Sequence, residues 1–199
     1  MSYKFKEEYE RLVVPYAPDI GSKRRITIPE PKVEKVRALA ERIASAKVGE
    51  EHHKIDGGSE FKRQYTGLLG EAALEEFFGI DIIDYSVGNS NEYNVADLRK
   101  IGLDIGVKTV EICKFPIVHK RPYRPELICV KRKENEVVFF GYASMEVLAR
   151  YQTDDFILDG RLRQRGTKSA FYGFSELIEI DSLKTLKAVY RKEKKGGFW

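Results

Sequence analysis

The fold is decided by residues 94–111, which read Asn94-Val95-Ala96-Asp97-Leu98-Arg99-Lys100-Ile101-Gly102-Leu103-Asp104-Ile105-Gly106-Val107-Lys108-Thr109-Val110-Glu111. An apolar segment with one aspartate is followed by a glycine-containing turn and then by an alternating strand with one lysine. Because alternate residues of a strand face the same side of a sheet, Asp104, Gly106 and Lys108 share one face. The turn at 99–102 is short enough to bring Asp97 opposite that face. The stretch therefore predicts a β-hairpin with a polar centre.

The composition of the 199-residue chain is typical of one globular domain. Hydrophobic residues make up 42% and aromatic residues 12% of the chain, which is enough for one sizeable core. We predict a single domain over 1–199, with its core at about 58–180 and an N-terminal helical extension at about 1–57. No apolar run approaches the roughly 18 residues of a membrane span, and the N-terminus lacks the apolar core of a signal peptide. Two cysteines without a paired motif favour a reducing compartment, so we expect a cytoplasmic protein without a membrane partner.

The spacing of apolar residues predicts an α/β fold. Prolines and a glycine interrupt residues 1–30, which are predicted to be irregular. Helical spacing predicts helices at 31–48, 59–78, 145–151 and 182–190. Alternating or continuous apolar runs predict strands near 81–85, 93–98, 103–113, 127–131 and 136–144, and the basic segment 159–168 is predicted to be a loop. A helix, several successive strands and another helix indicate a mixed central β-sheet flanked by helices.

The predicted helix at 59–78 contributes a third candidate acid. It contains Gly67-Leu68-Leu69-Gly70-Glu71, in which each glycine costs roughly 1 kcal/mol of helix propensity. The two glycines indicate a close approach to the sheet or an ordinary close-packed helix pair. Gln64 lies on the same helical stripe as Glu71, and it is a weaker candidate for contact with a substrate.

Basic clusters surround the acidic centre. The net charge of +4 permits a nucleic-acid partner without requiring one. The clusters lie at 23–25, 119–124, 131–133, 161–168 and 191–195. Hydrolysis of a phosphodiester requires carboxylates that bind a divalent metal and cations that hold the phosphates. Arg163, Arg165 and Lys168 are the best candidates for phosphate contacts, and Phe171 or Tyr172 are candidates for stacking on a base.

The three histidines are not predicted to bind a metal. His52, His53 and His119 are predicted to be surface loop residues, because no further ligand at metal-binding spacing accompanies them. The sequence therefore predicts carboxylates, and not histidines or cysteines, as the metal-binding groups.

The order of helix glutamate, strand aspartate and strand lysine resembles the PD-(D/E)XK nuclease superfamily over about residues 58–143. That superfamily includes restriction endonucleases, Holliday-junction resolvases and phage exonucleases. The resemblance implies that Asp97 is the first acidic metal ligand, Lys108 the conserved lysine and Glu71 the helix glutamate that many members add. It also implies a restriction-endonuclease-like core, Mg²⁺ or Mn²⁺ as cofactor and DNA as the main partner. The small size of the chain and the lack of an obvious specificity domain indicate an endonuclease or a recombination or repair enzyme of phage or mobile-element origin.

Position 106 departs from the family pattern, which places Asp or Glu two residues before the lysine. Asp104 is the candidate substitute because it shares the predicted face, although it lies about 7 Å further along the strand. Glu111 has the wrong parity relative to Lys108 and ranks lower, as does a frame that uses Glu111 with Lys114. A glycine inside a strand also indicates a bulge or a close backbone approach.

Two functions are compatible with these residues. The first is a Mg²⁺-dependent DNA nuclease, foremost an endonuclease, with Lys108, Asp97, Glu71 and Asp104 as catalytic residues and the three acids as metal ligands. The second is a nucleic-acid-binding protein that keeps the nuclease fold and is inactive because of Gly106. RNA is the alternative substrate, since metal-dependent hydrolysis of either polymer uses the same ligands. The sequence leaves the oligomeric state open and is compatible with a dimer.

Overall fold

The computed structural model describes residues 3–46, 60–86 and 95–196. The helices are α1 (Tyr3–Leu12), α2 (Glu30–Ala46), α3 (Glu60–Phe78), α4 (Met145–Arg150), α5 (Gly160–Arg165) and α6 (Leu183–Lys194). The strands are β1 (Arg25–Thr27), β2 (Gly106–Glu111), β3 (Ile117–His119), β4 (Glu126–Lys133), β5 (Glu136–Ala143), β6 (Gln152–Thr153) and β7 (Lys168–Phe171). None of the described helices combines the length and the apolar character needed to cross a bilayer.

A mixed four-stranded sheet with the order β1-β5-β4-β2 forms the centre of the protein. Strand β5 runs antiparallel to β1 and β4, whereas β2 and β4 are parallel, with Gly106 opposite Glu126. A second sheet of three antiparallel strands has the order β3-β7-β6. The prediction of an α/β fold with a mixed central sheet is therefore confirmed.

The central sheet separates two apolar clusters. Along β4, Leu127 and Cys129 face the cluster formed with α2 and α3, while Ile128 and Val130 face the cluster formed with α1, α4 and the second sheet. This alternation is what the pleat of a strand produces. It also sets the parallel register of β2, because a slip of one residue would turn the apolar side chains to the wrong cluster.

Gly70 allows helix α3 to lie very close to β2. A Cβ atom at Gly70 would lie 1.7 Å from Thr109 Oγ1, whereas one at Gly67 would meet no neighbouring atom within 4 Å. The close approach indicated by the two glycines therefore depends on Gly70 alone. Because Glu71 is the next residue, this contact also sets how far its backbone lies from the sheet.

Six predicted elements are confirmed, namely α2, α3, α4, α6, β4 and β5, and strand β2 lies within the predicted strand at 103–113. Positions 47, 48 and 59 of the predicted helices lie outside the described residues. Strand β1 and helix α2 belong to the central sheet and its first apolar cluster, although the sequence assigns them to an N-terminal extension.

Two segments predicted to be irregular are helical. Residues 3–12 form α1, because Phe5, Tyr9 and Val13 recur at helical spacing and are buried in the second cluster. Helix α5 lies within the predicted loop at 159–168, where Asp159 Oδ1 accepts hydrogen bonds from the N–H groups of Arg161 and Leu162. An N-terminal cap of this kind stabilises the first turn of a short helix.

The predicted strand at 81–85 is wrong, because backbone amides of this segment donate hydrogen bonds to a side chain and not to a neighbouring strand. The N–H groups of Ile82 and Ile83 donate to Oε1 of the buried Glu75 at 2.7 and 2.8 Å. Lys32 Nζ lies 3.0 Å from the other oxygen, Oε2. The carboxylate of Glu75 thus replaces the neighbouring strand that these amides would otherwise require.

The predicted hairpin before β2 is wrong in its first arm. Residues 95–98 form no strand and lead into a 3-10 helix at Arg99–Ile101, while positions 93 and 94 lie outside the described residues. The Leu98 N–H donates to the Ile105 carbonyl at 3.2 Å, so the chain still folds back beside the start of β2. This fold-back brings Asp97 to the edge of the sheet.

Candidate functional site

Asp97 reaches β2 from a turn. Its Oδ2 accepts a hydrogen bond from the Val107 N–H at 2.6 Å. The Gly106 amide donates to the carbonyl of Pro125, the residue before β4, and the Ile112 amide donates to the Lys131 carbonyl of β4. Since successive amides of a strand point in opposite directions, the Val107 amide points to the outer edge of β2. The carboxylate of Asp97 therefore lies at that edge, beside the strand segment that carries Lys108.

Glu126 occupies the space that Gly106 leaves. It is the first residue of β4 and pairs with Gly106 in the parallel register. A Cβ atom at position 106 would lie only 2.1 Å from Glu126 Oε2, so the carboxylate lies directly against the glycine. The other oxygen, Oε1, lies 3.7 Å from Lys108 Nζ and 4.0 Å from Arg124 Nε. An acid is thus present beside position 106, although the neighbouring strand carries it.

The surroundings of Glu126 are those of a ligand-binding acid. The residue is 5% exposed, and its Oε2 has no hydrogen-bond partner among the described residues. Burial raises the pKa of Glu126, and the charge of Asp97 adds to this shift. The charges of Lys108 and Arg124 oppose it. An unsatisfied buried acceptor costs about 1–3 kcal/mol of folding free energy. A bound ligand at Glu126 Oε2 would offset this cost.

Glu71 is the third acid of this region. Part of the residue is accessible to solvent, but protein atoms surround its carboxyl group. Burial raises the pKa of Glu71 well above its usual range, the charges of Asp97 and Glu75 raise it further, and Lys108 and Lys100 oppose the shift. Asp97 and Lys108 therefore act on both Glu71 and Glu126. We call Glu71, Asp97, Lys108 and Glu126 the candidate site.

The charge of Asp97 acts on both of the other carboxylates of the candidate site, Glu71 and Glu126. As the side chains stand, no three acidic, histidine or cysteine side chains of the described residues are grouped so that they hold one metal ion. One feature nevertheless fits a cation, namely the buried Oε2 of Glu126 beside Gly106, which has no hydrogen-bond partner among the described residues. Carboxylates held near one another with raised pKa values are a recurrent feature of functional sites.

Asp104 lies apart from the candidate site, so the predicted face shared by Asp104 and Lys108 is wrong. Strand β2 begins only at Gly106, and the Asp104 side chain is 54% exposed and lies 3.8 Å from Lys194 Nζ. The Asp104 N–H donates to the Tyr190 hydroxyl at 3.2 Å. These contacts tie the start of β2 to helix α6.

Glu111, the lower-ranked alternative to Asp104, forms ion pairs outside the candidate site. Its carboxylate pairs with Lys62 of α3 at 3.0 Å and with Lys114 at 2.7 Å. Both pairs lie at the far end of β2 from Gly106. The frame that uses Glu111 and Lys114 as site residues therefore describes an ion pair between the end of β2 and the turn that follows it.

The four predicted nucleic-acid contacts lie in different places. Gln64 donates to Glu60 Oε1 at 2.7 Å on α3, and Arg163 of α5 donates to the Ile157 carbonyl at 2.8 Å. Arg165 is exposed at the end of α5. Lys168 begins β7 opposite His119. Of the four, Lys168 is connected to the candidate site, because its charge and that of Lys108 act on the same imidazole.

Two expectations about ring side chains are wrong. Phe171 is fully buried, so it has no surface on which a base can stack. His119 does not lie in a loop, since it ends strand β3 and is partly buried beside Lys108 and Arg124. Tyr172 keeps partial exposure, and its predicted role in stacking stays a prediction.

The sequence did not single out Glu126 as a site residue, and it placed Arg124 only within the basic cluster at 119–124. The segment Arg124-Pro125-Glu126 precedes a continuous apolar strand, and a charged residue at the entry to such a strand is a weak signal by itself. Their importance depends on the parallel pairing of β4 with β2, which sequence spacing does not specify. No protein-family model, curated protein or solved structure matches this chain. The functional interpretation therefore depends on the geometry of the candidate site.

Proposed function

We propose that the protein is a metal-dependent nuclease with a site of the PD-(D/E)XK type, in which Glu126 supplies the second acid. The observation that carries this proposal is the contact of Glu126 Oε2 with Gly106. The glycine that departs from the family pattern is the residue that leaves room for a carboxylate from the adjacent strand. On this proposal the central sheet with α2 and α3 is a restriction-endonuclease-like core.

The proposed metal is Mg²⁺ or Mn²⁺, held by Asp97, Glu126 and Glu71. Carboxylate oxygens are the ligands that these hard cations prefer. A divalent cation would also offset the repulsion of the Asp97 charge with Glu71 and Glu126, whose pKa values are raised by burial and by that charge. When bound, such an ion stabilises negative charge on the phosphate and acidifies a water molecule. The side chains need to adjust to form one ligand sphere, since they are not grouped in this way as they stand.

Lys108 and Asp97 have distinct roles in this proposal. Lys108 Nζ lies 3.7 Å from Glu126 Oε1, where its positive charge can stabilise the charge that develops on the scissile phosphate and orient the attacking water. The Val107 amide fixes the Asp97 carboxylate through its hydrogen bond. DNA is the substrate that the family resemblance favours, and RNA remains the alternative.

Cleavage assays with linear, nicked, branched and single-stranded DNA, and with RNA, test the proposal in Mg²⁺ or Mn²⁺. We expect metal-dependent cleavage that falls at least about 100-fold in Glu126→Gln, Asp97→Asn and Lys108→Ala, a loss of roughly 2.7 kcal/mol of transition-state stabilisation. Asp104→Asn is the matched control and should cut like wild type. No cleavage of any substrate, or full activity of Glu126→Gln together with loss in Asp104→Asn, contradicts the proposal.

Metal binding can be measured without activity. Mg²⁺ at about ten times its dissociation constant should stabilise the wild type by about 1.4 kcal/mol, which thermal unfolding detects as a higher melting temperature. Asp97→Asn and Glu126→Gln should lose this shift, and Asp104→Asn should keep it. An equal shift in all four proteins would place the metal elsewhere.

The most specific test moves the second acid from position 126 to position 106. Gly106→Asp alone should be inactive, because its side chain collides with Glu126. Glu126→Ala alone should be inactive, because the second acid is missing. The double variant Gly106→Asp/Glu126→Ala returns an acid to the position that the family uses, and it should be at least about tenfold more active than Glu126→Ala, or roughly 1.4 kcal/mol. A double variant that is no better than Glu126→Ala would show that the two positions are not equivalent.

A second candidate function is nucleic-acid binding without cleavage. The lack of a ready group of three metal ligands among the described residues favours it. This function predicts binding that weakens steeply with salt and persists in EDTA, together with unchanged DNA and RNA in every metal. The cleavage assay above separates the two functions.

A further inference from the structure

Helix α6 carries a large excess of positive charge. Its 12 residues include five lysines and arginines and one glutamate, and the resulting net charge of +4 equals that of the whole chain. The rest of the chain is therefore neutral in sum. Lys195, directly after the helix, extends the basic segment by one residue. By contrast, α1 carries equal numbers of acidic and basic residues.

The positive charges of α6 lie opposite its packed side. Its larger apolar residues lie in or against the apolar cluster formed with α2 and α3, namely Leu183, Leu186, Val189 and Tyr190. Four cations recur at helical spacing on the opposite side, namely Lys184, Lys187, Arg191 and Lys195. We call these four residues the basic face of α6. The basic face spans about 16 Å along the helix axis.

The acids in and beside α6 are engaged elsewhere. The two carboxylate oxygens of Glu193 accept hydrogen bonds from the Tyr142 hydroxyl and from the Met145 N–H, the latter at 2.9 Å. Asp181, just before the helix, accepts a hydrogen bond from the Thr185 hydroxyl. No acid of the described residues forms an ion pair with a cation of the basic face. The basic face is therefore a row of four charges that a polyanion can reach.

The C-terminal half of α6 is attached to the strand that carries the candidate site. The Tyr190 hydroxyl accepts a hydrogen bond from the Asp104 N–H at 3.2 Å, and Lys194 Nζ lies 3.8 Å from Asp104 Oδ2. Asp104 comes two positions before Gly106, the first residue of β2. The end of the basic face that is next to Tyr190 and Lys194 in the chain therefore lies close to the start of β2.

A double helix fits the basic face better than other polyanions do. Each strand of duplex DNA carries a phosphate about every 3.4 Å along the axis, so several phosphates can lie along the row. An unpaired strand is held in part by stacking on exposed aromatic rings, whereas Tyr190, the aromatic residue of α6, packs against the core. A membrane surface requires an exposed apolar side, and the apolar side of α6 is packed as well.

We propose that the basic face of α6 binds the phosphate backbone of a nucleic-acid double helix without reading the base sequence. Binding itself requires neither a metal nor cleavage. The role of this contact in holding a substrate beside the candidate site rests on the proposed nuclease function.

Binding in EDTA tests the basic face directly. Fluorescence anisotropy with a labelled duplex should show about tenfold weaker binding for Lys184→Gln/Arg191→Gln than for wild type, and the slope of log affinity against log salt should fall by about 2. Lys6→Gln/Lys35→Gln removes two exposed lysines of α1 and α2, with the same change in net charge. This control should bind within about twofold of wild type. Equal losses in the two variants, or none in the first, overturn the proposal.

Arginine substitutions keep the charge and separate it from other properties of the lysines. Lys184→Arg/Lys187→Arg/Lys195→Arg should bind the duplex as wild type does, because backbone contacts depend on positive charge. Circular dichroism and melting temperature show that each variant folds, and glutamine and arginine have helix propensities close to that of lysine. A loss of binding in the arginine variant as large as in Lys184→Gln/Arg191→Gln would overturn the proposal.

Competition experiments define the ligand. Unlabelled duplexes of unrelated sequences should displace the labelled duplex equally well, whereas a single strand of the same length should be at least about fivefold less effective. Phosphatidylserine vesicles at physiological ionic strength should leave the protein on the duplex. Equal competition by the single strand, or displacement by the vesicles, would overturn the assignment to a double helix.

The cleavage assay separates this inference from the proposed function. In an active nuclease, Lys184→Gln/Arg191→Gln should raise KM for a duplex about tenfold with little effect on kcat, because the basic face holds the substrate in the ground state and the transition state alike. Cleavage with an unchanged KM in this variant would overturn the inference while the nuclease function stands. Duplex binding that depends on the basic face, without cleavage in any metal, would support the inference and contradict the nuclease function.

Discussion

Two glutamates one turn apart on α3 have opposite surroundings. The Glu75 carboxylate accepts hydrogen bonds from the amides of Ile82 and Ile83 and pairs with Lys32, so both of its oxygens have partners. Burial raises the pKa of Glu71 instead, and the charges of Asp97 and Glu75 raise it further. A buried acid with partners stabilises the fold, whereas neighbouring buried acids reduce stability and are suited to a ligand. Glu75 is thus a structural residue and Glu71 a candidate functional one.

The largest expected effect comes from removing the structural acid. Glu75→Ala leaves two backbone amides and Lys32 without this partner, and we expect it to lower the free energy of unfolding by about 3 kcal/mol. Denaturation in urea at pH 7 measures the change. Glu76→Ala is the control from the same helix, because exposed Glu76 also pairs with Lys32 and should cost under about 1 kcal/mol. Equal losses in the two variants would remove the distinction between structural and functional acids.

An intermediate effect is expected where Glu126 meets Gly106. Gly106→Ala places a Cβ atom against Glu126 Oε2, and we expect overpacking to lower the free energy of unfolding by about 2 kcal/mol. In a Glu126→Ala background the same change should cost less than about 0.5 kcal/mol, since the colliding group is gone. A double-mutant cycle by chemical denaturation gives the coupling. Additive losses would mean that Glu126 does not lie over the glycine.

The smallest expected effect is on the pH dependence of stability. The pKa of Glu71 is raised in the folded protein, so its contribution is most favourable below the ordinary carboxyl pKa of about 4.3. This contribution is lost as the pH rises from there through the raised pKa of the native state. Glu71→Gln should therefore be more stable than wild type at pH 8 by about 1 kcal/mol, and its melting temperature should vary less between pH 5 and 8.

Glu76→Gln controls for the loss of one negative charge from α3. It should leave the variation of the melting temperature between pH 5 and 8 close to that of wild type. A Glu71→Gln variant that is less stable than wild type at pH 8 would mean that the Glu71 carboxylate stabilises the fold as Glu75 does.

Elements with strong local patterns were predictable from the sequence. The apolar runs of β4 and β5 and the helical spacing of α2 and α3 correspond closely to the observed elements. The predictions failed where side chains replaced backbone partners. The Glu75 carboxylate accepts hydrogen bonds from the amides of Ile82 and Ile83. The Asp97 carboxylate, which lies in a turn, accepts one from the Val107 amide. Such side-chain contacts leave no periodic trace in the sequence, because they depend on one residue each.

Periodicity along the chain places Gly106 and Lys108 on one face of a strand, and it places Glu71 on a helix directly after Gly70. Strand and helix periodicity follow from backbone geometry, which is local. The position of Glu126, and not Asp104, at Gly106 depends on contacts between distant segments. Parallel pairing of β2 with β4 joins distant parts of the chain, and its register depends on burying alternate residues of both strands in two separate cores.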